Sequence, residues 1–427
     1  MEINTLHELF LKCNSVAIDT RKITANCLFV ALKGERFDAN TFAAEALDKG
    51  ALYVVIDNSS YFIDHRTILV NDSLTTLQEL AQFHRNYLKL PIIALTGSNG
   101  KTTTKELIHA VLSQKFKVMA TIGNLNNHIG VPLTLLSFDQ STEIGIVEMG
   151  ANHQKEIEFL CRLAQPDFGY ITNFGKAHLE GFGGFEGVIK GKSEMYHFLK
   201  DHHKKVFVNL DDALQVQHST SISYYSFSTK DKNANVYITE IYADPFVSVT
   251  YNNVEVQSQL VGSYNANNII AAITIGQYFE VTADLIKNAI ENYSPTNNRS
   301  QLSQKGSNQL ILDAYNANPS SMAVALQNFT QLPENNKIAF LGDMFELGTE
   351  SLQEHEALVK TVENNTDITF YFVGLDFFYV KKELNHFHFF ATFEDLQHAL
   401  LNTKFENKCI LIKGSRGMAL ERIVDLL

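Results

Sequence analysis

Short apolar runs, each closed by glycine or a polar turn, alternate along the chain with longer stretches of helical period, and this alternation predicts an α/β fold. The first unit reads "CLFVAL" (27–32), a turn at Lys33-Gly34-Glu35, the helix pattern "TFAAEALDKG" (41–50) ended by Gly50, and then "LYVVID". Strand, helix and strand so close together predict a small α/β domain over 1–89, closed by the helix pattern "LTTLQELAQFHRNYLKL" and Pro91. Apolar strands at 92–95, 144–147 and 168–172, separated by helical stretches, predict a central doubly wound, mostly parallel sheet over 90–295. The polar segment "ENYSPTNNRSQ" (291–301), with Pro295, reads as a linker. Beyond it "QLILD", "KIAFLGD", "TFYFVG" and "CILIKGS" predict a Rossmann-like open α/β sheet over 296–427. "HFHF" (386–389) alternates as strand residues do, which favours surface display over metal binding. Three domains are therefore expected, consistent with a length of 427 residues.

Composition narrows the classes of function. A formal net charge of -12 disfavours non-specific binding of nucleic acid, whose affinity comes from many neutralised phosphates. Anionic small molecules stay admissible, because a few local cations suffice for them. No apolar run approaches the roughly 18 residues of a membrane span, and "MEINTLHELFLKCNS" has no signal-peptide order. The expectation is a soluble, cytoplasmic monomer with no membrane insertion. Cys13, Cys27, Cys161 and Cys409 have no C-x-x-C spacing and are expected reduced and mostly buried.

The clearest chemistry lies in "PIIALTGSNGKTTTKE" (91–106), an apolar strand running into a glycine turn, a lysine and three threonines. Backbone N–H groups of Gly97, Ser98, Asn99 and Gly100 and a helix N-terminus can face a polyphosphate, with Lys101 at the β/γ oxygens and Thr102 at magnesium. Leu95 stands where the general phosphate-loop pattern has glycine, so this is a shortened G-x-x-G-K-T form. Such a loop serves switches, kinases, motors and ligases alike, so the surrounding residues must decide. Glu148 follows an apolar strand directly, as a magnesium ligand or a solvated strand end; His178, in "YITNFGKAHLEGFGG", reads as a ligand or a structural histidine. In "FEGVIKGKSEMYHFL" Lys192 falls on the apolar stripe formed by Phe185, Val188, Ile189, Met195, Tyr196 and Leu199. Either its ammonium snorkels to water, or it is partly desolvated and its neutral amine is open to reaction, for instance with carbon dioxide. Asn265 and Asn268, opening a helix pattern, suit an adenine edge or a helix cap. Asp313, Asp343 and Lys413 end apolar strands, and with "YNANP" (315–319) and "KGSRGM" (413–418) they imply a polar, partly cationic face for anions.

Taken in order, these motifs resemble the Mur ligase family over almost the whole chain. "DTRKI" with "LFVALKGERFDANTF", "TGSNGKTTTKE", "NLNNHIGVPLTLL", "VEMGANHQKEI", "TNFGKAHLEGFG", "KGKSEM" and "GSYNANN" follow the family's sequence of motifs. "LDAYNANPSSM", "LGDMFELG" and "KGSRGMALE" are similar to its D-alanyl-D-alanine-adding branch, and "YNANP" and "LGDMFELG" speak against a diamino-acid-adding member or a folylpolyglutamate synthase. The resemblance implies an ATP-dependent amide ligase that adds D-alanyl-D-alanine to UDP-N-acetylmuramoyl-tripeptide through an acyl phosphate. It implies ATP held by Gly97, Ser98, Asn99, Gly100, Lys101, Thr102 and Thr103, with Asn268, Asp313 and Arg299 as further nucleotide contacts. Thr102, Glu148, His178 and a carbamylated Lys192 would hold two magnesium ions, and Lys101, Lys192, His178 and Glu148 would carry catalysis. Thr20, Arg21 and Asp38 would serve the UDP-sugar, and Asn126, Asn127, Asn316, Asn318, Lys413 and Arg416 the acceptor peptide and dipeptide. The chain departs from the family's usual residues at Thr20 (serine), at Tyr264 (histidine) and in "SPTNNRSQL", which replaces a proline-glycine-arginine run. Closure of the domains around the substrates is expected, because it would keep water from the acyl phosphate.

Overall fold

The computed structural model describes residues 1–295, 299–401 and 403–427, so the middle of the predicted linker, Thr296–Asn298, lies outside the described residues. Three α/β domains follow one another, each with its own sheet. In the first, Val16–Ala17, Leu28–Val30, Tyr53–Ile56 and Thr67–Leu69 form a parallel sheet in that order. The helix Ala43–Asp48 stops just before Gly50, whose φ of 101° is the kind of backbone that favours glycine.

The helix Ser73–Leu88 fastens this domain to the next. Asp72 caps it by accepting the Thr75 N–H at 2.7 Å. Arg85, buried on its inner face, donates to the carbonyls of Ala164 and Gln165 (both 3.0 Å) and pairs with Asp167 at 2.9 Å; the same carboxylate accepts the N–H of Ile92, the first residue of the next sheet. Close by, His84 Nε2 donates to the Phe138 carbonyl at 2.8 Å, which leaves Nδ1 to accept from His7 Nε2 at 3.0 Å. Both rings are buried and neutral; burial pushes His7 down to about 4 and His84 down as well. An unfolded histidine takes up a proton near its ordinary value of about 6.5, whereas the folded pair does not. The unfolded chain therefore binds more protons below pH 6.5, and the stabilisation, full above that pH, is lost as pH falls toward 4. Denaturant titrations at pH 7.5 and 4.5 should differ by on the order of 2 kcal/mol from this source, and His7→Leu should make the dependence shallower.

The central sheet has nine strands. In spatial order they are Val254–Val261, Phe246–Tyr251, Val236–Ala243, Ser223–Ser228, Lys205–Asn209, Phe168–Ile171, Ile92–Thr96, Ile144–Glu148 and Val118–Ala120. Strands from Val236 onward in sequence form antiparallel pairs and the rest are parallel, so the doubly wound sheet carries a hairpin extension that the apolar pattern did not single out. The helix Asn265–Tyr278 is buried over most of its length against the helix Lys101–Leu112, and so fixes the loop that opens the latter. The last sheet runs Gln301–Lys305, Asn308–Asp313, Cys409–Lys413, Lys337–Gly342, Ile368–Val373 and Phe387–Phe390, parallel except at its first pair. Here Asp313 and Lys413 are register partners on adjacent strands. The four cysteines are free, and among the described residues no helix is long and apolar enough to cross a membrane.

Candidate active site

A cleft of about 980 Å³ opens between the central and last domains, lined on one side by the loop Ser98–Thr103 and on the other by Tyr315, Asn316 and the start of the helix Pro319–Gln331. The loop is held open from behind. Ser98 Oγ donates to the Gly175 carbonyl at 2.7 Å, Asn173 Oδ1 accepts the Asn99 N–H at 3.1 Å, and Thr172 Oγ1 donates to the Asn99 carbonyl at 2.5 Å. Gly97 has a φ of 138°, and a Cβ there would sit 2.1 Å from Thr172 Oγ1, so only glycine permits this strap. The first N–H groups of the helix Lys101–Leu112 have no acceptor within the helix. Lys101 Nζ bonds the carbonyls of Gly97 (2.7 Å) and Ser98 (3.3 Å), which holds its charge at the loop's mouth. Burial lowers its proton affinity, and Glu148 opposes that effect.

Glu148 is 1% exposed and tied to neutral donors: Oε2 accepts from Thr102 Oγ1 at 2.9 Å and Oε1 from Asn126 Nδ2 at 2.8 Å, with Lys105 Nζ 3.8 Å away. A carboxylate so buried, at the cleft wall beside a threonine hydroxyl, suits a hard cation. Among the described residues no three His, Cys, Asp or Glu side chains form a ready-made cage. The sparse donor set of Thr102, Glu148 and His178 fits magnesium, which keeps several waters and takes oxygens from phosphates. His178 lines the same cleft with a φ of 54°, its Nδ1 bonded to Glu346 of the last domain.

Lys192 is 1% exposed, so the snorkelling alternative does not hold. Its amine donates to the Ala151 carbonyl at 3.1 Å and lies 5.0 Å from the centre of the Phe182 ring. Ala151 lines the cleft and Lys192 does not, which puts the amine just behind the wall. Burial, reinforced by the charge of Lys101, holds its proton affinity well below the usual lysine range despite Glu156 and Glu194.

The remaining expected residues divide. Asn268 lines the cleft, but its amide accepts from Thr104 Oγ1 at 3.0 Å and donates to Asn265 at 2.9 Å, while Asn265 donates to the Val261 carbonyl at 2.8 Å. The capping alternative therefore fails, because neither side chain caps the helix. Asn127 lines the cleft and accepts the N–H groups of Ile129 and Gly130, and Asn318 caps the helix Pro319–Gln331 while donating to Asn99 Oδ1 at 2.7 Å. Asn316, Asp313 and Lys413 line it too, yet Lys413 is spent on Asp313 at 2.5 Å, so that face is less cationic than expected. Arg299 lies over the Tyr315 ring at 3.8 Å; Arg416 is 5.7 Å from the same ring, outside the cleft lining, and paired with Glu421. Asp343 follows its strand at the same carboxyl edge as Lys413 but does not line the cleft: it is buried, accepts the N–H groups of Asp376 and Phe377 (3.0 Å each), and caps a helix. Thr20, Arg21 and Asp38 lie in the first domain, away from the cleft lining; Arg21 pairs with Asp19 and Asp38 accepts the Asn40 N–H.

Sequence reasoning missed Asn173, Tyr315 and Glu346, although all three fall inside quoted motifs. Tyr264, the residue noted as a departure, shares a 2.6 Å hydrogen bond with Ser300, whose N–H donates to Asp313, so its hydroxyl ties the cleft's two sides together.

Two family models match the sequence: the Mur ligase middle domain over residues 95–276, and the Mur ligase, glutamate ligase domain over residues 298–416. The chain is 36% identical over 423 residues to the UDP-N-acetylmuramoyl-tripeptide--D-alanyl-D-alanine ligase of Bacillus subtilis (strain 168), covering 96% of this chain and 92% of that protein. Against the enzyme of the same name from Escherichia coli (strain K12) it is 34% identical, covering 97% and 93%. Among solved structures, MurF from Acinetobacter baumannii superposes with a TM-score of 0.87 at 29% identity, covering 99% of this chain and 98% of that one. MurF ligase from Thermotoga maritima in complex with ADP gives 0.84 at 25% identity, covering 98% and 97%.

Proposed function

The chain belongs to the Mur ligase family, and on that premise we propose that it uses ATP to join D-alanyl-D-alanine to UDP-N-acetylmuramoyl-tripeptide in peptidoglycan precursor synthesis. The observation that carries this reading is a strapped phosphate loop facing, across one cleft, a polar wall from another domain. A nucleotide switch needs the loop alone; a ligase needs a place for an acid and an amine beside it.

A carboxylate is a poor electrophile, so the tripeptide's terminal carboxylate oxygen attacks the γ-phosphorus and ADP leaves. The dipeptide amine then attacks the acyl carbon, loses a proton, and phosphate departs with the oxygen that had bridged carbon and phosphorus. Charge repulsion between acid and triphosphate is the main barrier to alignment. Lys101 and the first N–H groups of its helix neutralise the β/γ oxygens, and Asn268, Asp313 and Arg299 position the nucleotide. Thr102, Glu148, His178 and a carbamate on Lys192 would hold two magnesium ions, which when bound supply further charge neutralisation. The buried, easily neutral amine of Lys192 supports the carbamate, since only a free amine adds to carbon dioxide. Asn126, Asn127, Asn316, Asn318, Lys413 and Arg416 are assigned to the acceptor peptide and dipeptide, and Thr20, Arg21 and Asp38 to the UDP-sugar. We set the domain limits at 1–89, 90–295 and 296–427, the middle one opening between the end of the helix Ser73–Leu88 and the strand Ile92–Thr96. The enzyme is assigned to the cytoplasm, where ATP and nucleotide-linked precursors occur, and to a monomer, since one chain supplies both walls of the cleft.

Incubation with ATP, magnesium, D-alanyl-D-alanine and UDP-tripeptides ending in diaminopimelate or lysine, followed by mass spectrometry, tests this. The expected result is a product heavier than one UDP-tripeptide by the dipeptide less water, with phosphate release that requires both substrates. Phosphate release indifferent to the peptides, without a new product, would contradict it.

A further inference from the structure

We propose that Glu346 is a positioning residue: its carboxylate, reaching from the last domain, orients the His178 imidazole and so makes the cation site of the central domain complete only when the two domains are docked. The proposal rests on the reading of His178 as a metal ligand. Its basis is the bond from His178 Nδ1 to Glu346 Oε2, between residues 168 apart in the chain. With the carboxylate accepting, Nδ1 carries the hydrogen and the lone pair belongs to Nε2, the one nitrogen left for a cation.

The backbone makes a second contact across the same gap. His178 has a φ of 54° and Glu346 a φ of 63°, both in the left-handed region that is uncommon for residues other than glycine. The Glu346 carbonyl also accepts the Glu180 N–H at 3.1 Å, so backbone and side chain grip the same short segment. The loop that presents Glu346 is fixed on either side: Met344 N–H donates to His355 Nε2 at 3.0 Å, Phe345 N–H to Ser415 Oγ at 2.8 Å, and Met344 and Leu347 are buried. Nearby, Lys176 pairs with Glu354 at 2.5 Å and its N–H donates to Ser320 Oγ at 2.9 Å, so the docked arrangement has other support and does not depend on Glu346 alone.

The test compares Glu346→Ala, Glu346→Gln and His178→Ala in the full chain, reading manganese binding in the presence of ADP by electron paramagnetic resonance, with kcat alongside. Glu346→Ala should weaken manganese about tenfold or more, as loss of an outer partner of a metal-bound histidine does, while its melting temperature stays near the parent's because the side chain is half exposed. Glu346→Gln, which can still accept from Nδ1, should recover most of that loss. Manganese affinity and kcat of Glu346→Ala within twofold of the parent, with His178→Ala strongly impaired, would overturn the role of Glu346 alone. Parent-like manganese binding by His178→Ala would overturn the reading of His178 as a ligand, and the inference with it.

Discussion

Lys192→Ala is expected to lower kcat about 10³-fold while leaving ADP affinity within a few-fold, and short-chain carboxylic acids are expected to restore part of the activity. The amine it removes is buried behind the cleft wall at Ala151, so the loss cannot come from a surface charge. Burial and the charge of Lys101 keep that amine easily neutral, and a neutral amine that adds carbon dioxide and loses a proton becomes an anionic carbamate just behind the cleft wall at Ala151. Truncation leaves space where the side chain was, into which acetate or propionate can carry the missing carboxylate. Full loss without rescue, with nucleotide binding intact, would count against the carbamate; activity near the parent's would remove Lys192 from the mechanism. The assay is steady-state phosphate release with and without the added acids, paired with calorimetric titration of ADP.

Lys101→Met is expected to reduce kcat by about 10³-fold or more and to raise KM for ATP. Methionine keeps the apolar stem and removes only the charge that the loop carbonyls of Gly97 and Ser98 hold at its mouth. Charge accumulates on the transferring group as the bond to ADP breaks, so the loss should fall more on kcat than on ADP affinity. Lys101→Arg should not restore activity, because a planar fork does not fit the space of a compact ammonium. A kcat within tenfold of the parent for Lys101→Met would mean that the loop binds phosphate without taking part in its transfer.

The glycine loop, Glu148 and Lys192 were readable from sequence because each is a local event: a turn that needs glycine, an acid that ends an apolar run, a cation on an apolar stripe. The strand and helix alternation conveyed the two larger sheets for the same reason. The antiparallel extension Val236–Val261 was passed over because its outward half is polar and it interrupts a pattern otherwise dominated by buried parallel strands. Asp343 does stand at the carboxyl edge of its sheet, but a carboxylate there looks the same in sequence whether it faces a ligand or, as here, caps a helix 33 residues downstream. Lys413 looked like a free cation until parallel register set it opposite Asp313. Glu346 was out of reach, since its partner lies in another domain and nothing local distinguishes it from a solvated turn residue.

In the mechanism set out above, the phosphoryl group passes from ATP to the tripeptide's carboxylate before any amide forms. Turnover with UDP-N-acetylmuramoyl-tripeptide carrying 18O in its terminal carboxylate, with mass analysis of the released phosphate, tests it directly. One 18O atom in each phosphate is the expected result, because the oxygen that bridged carbon and phosphorus departs with phosphorus. Phosphate that carries none, formed alongside the ligated product, would contradict it.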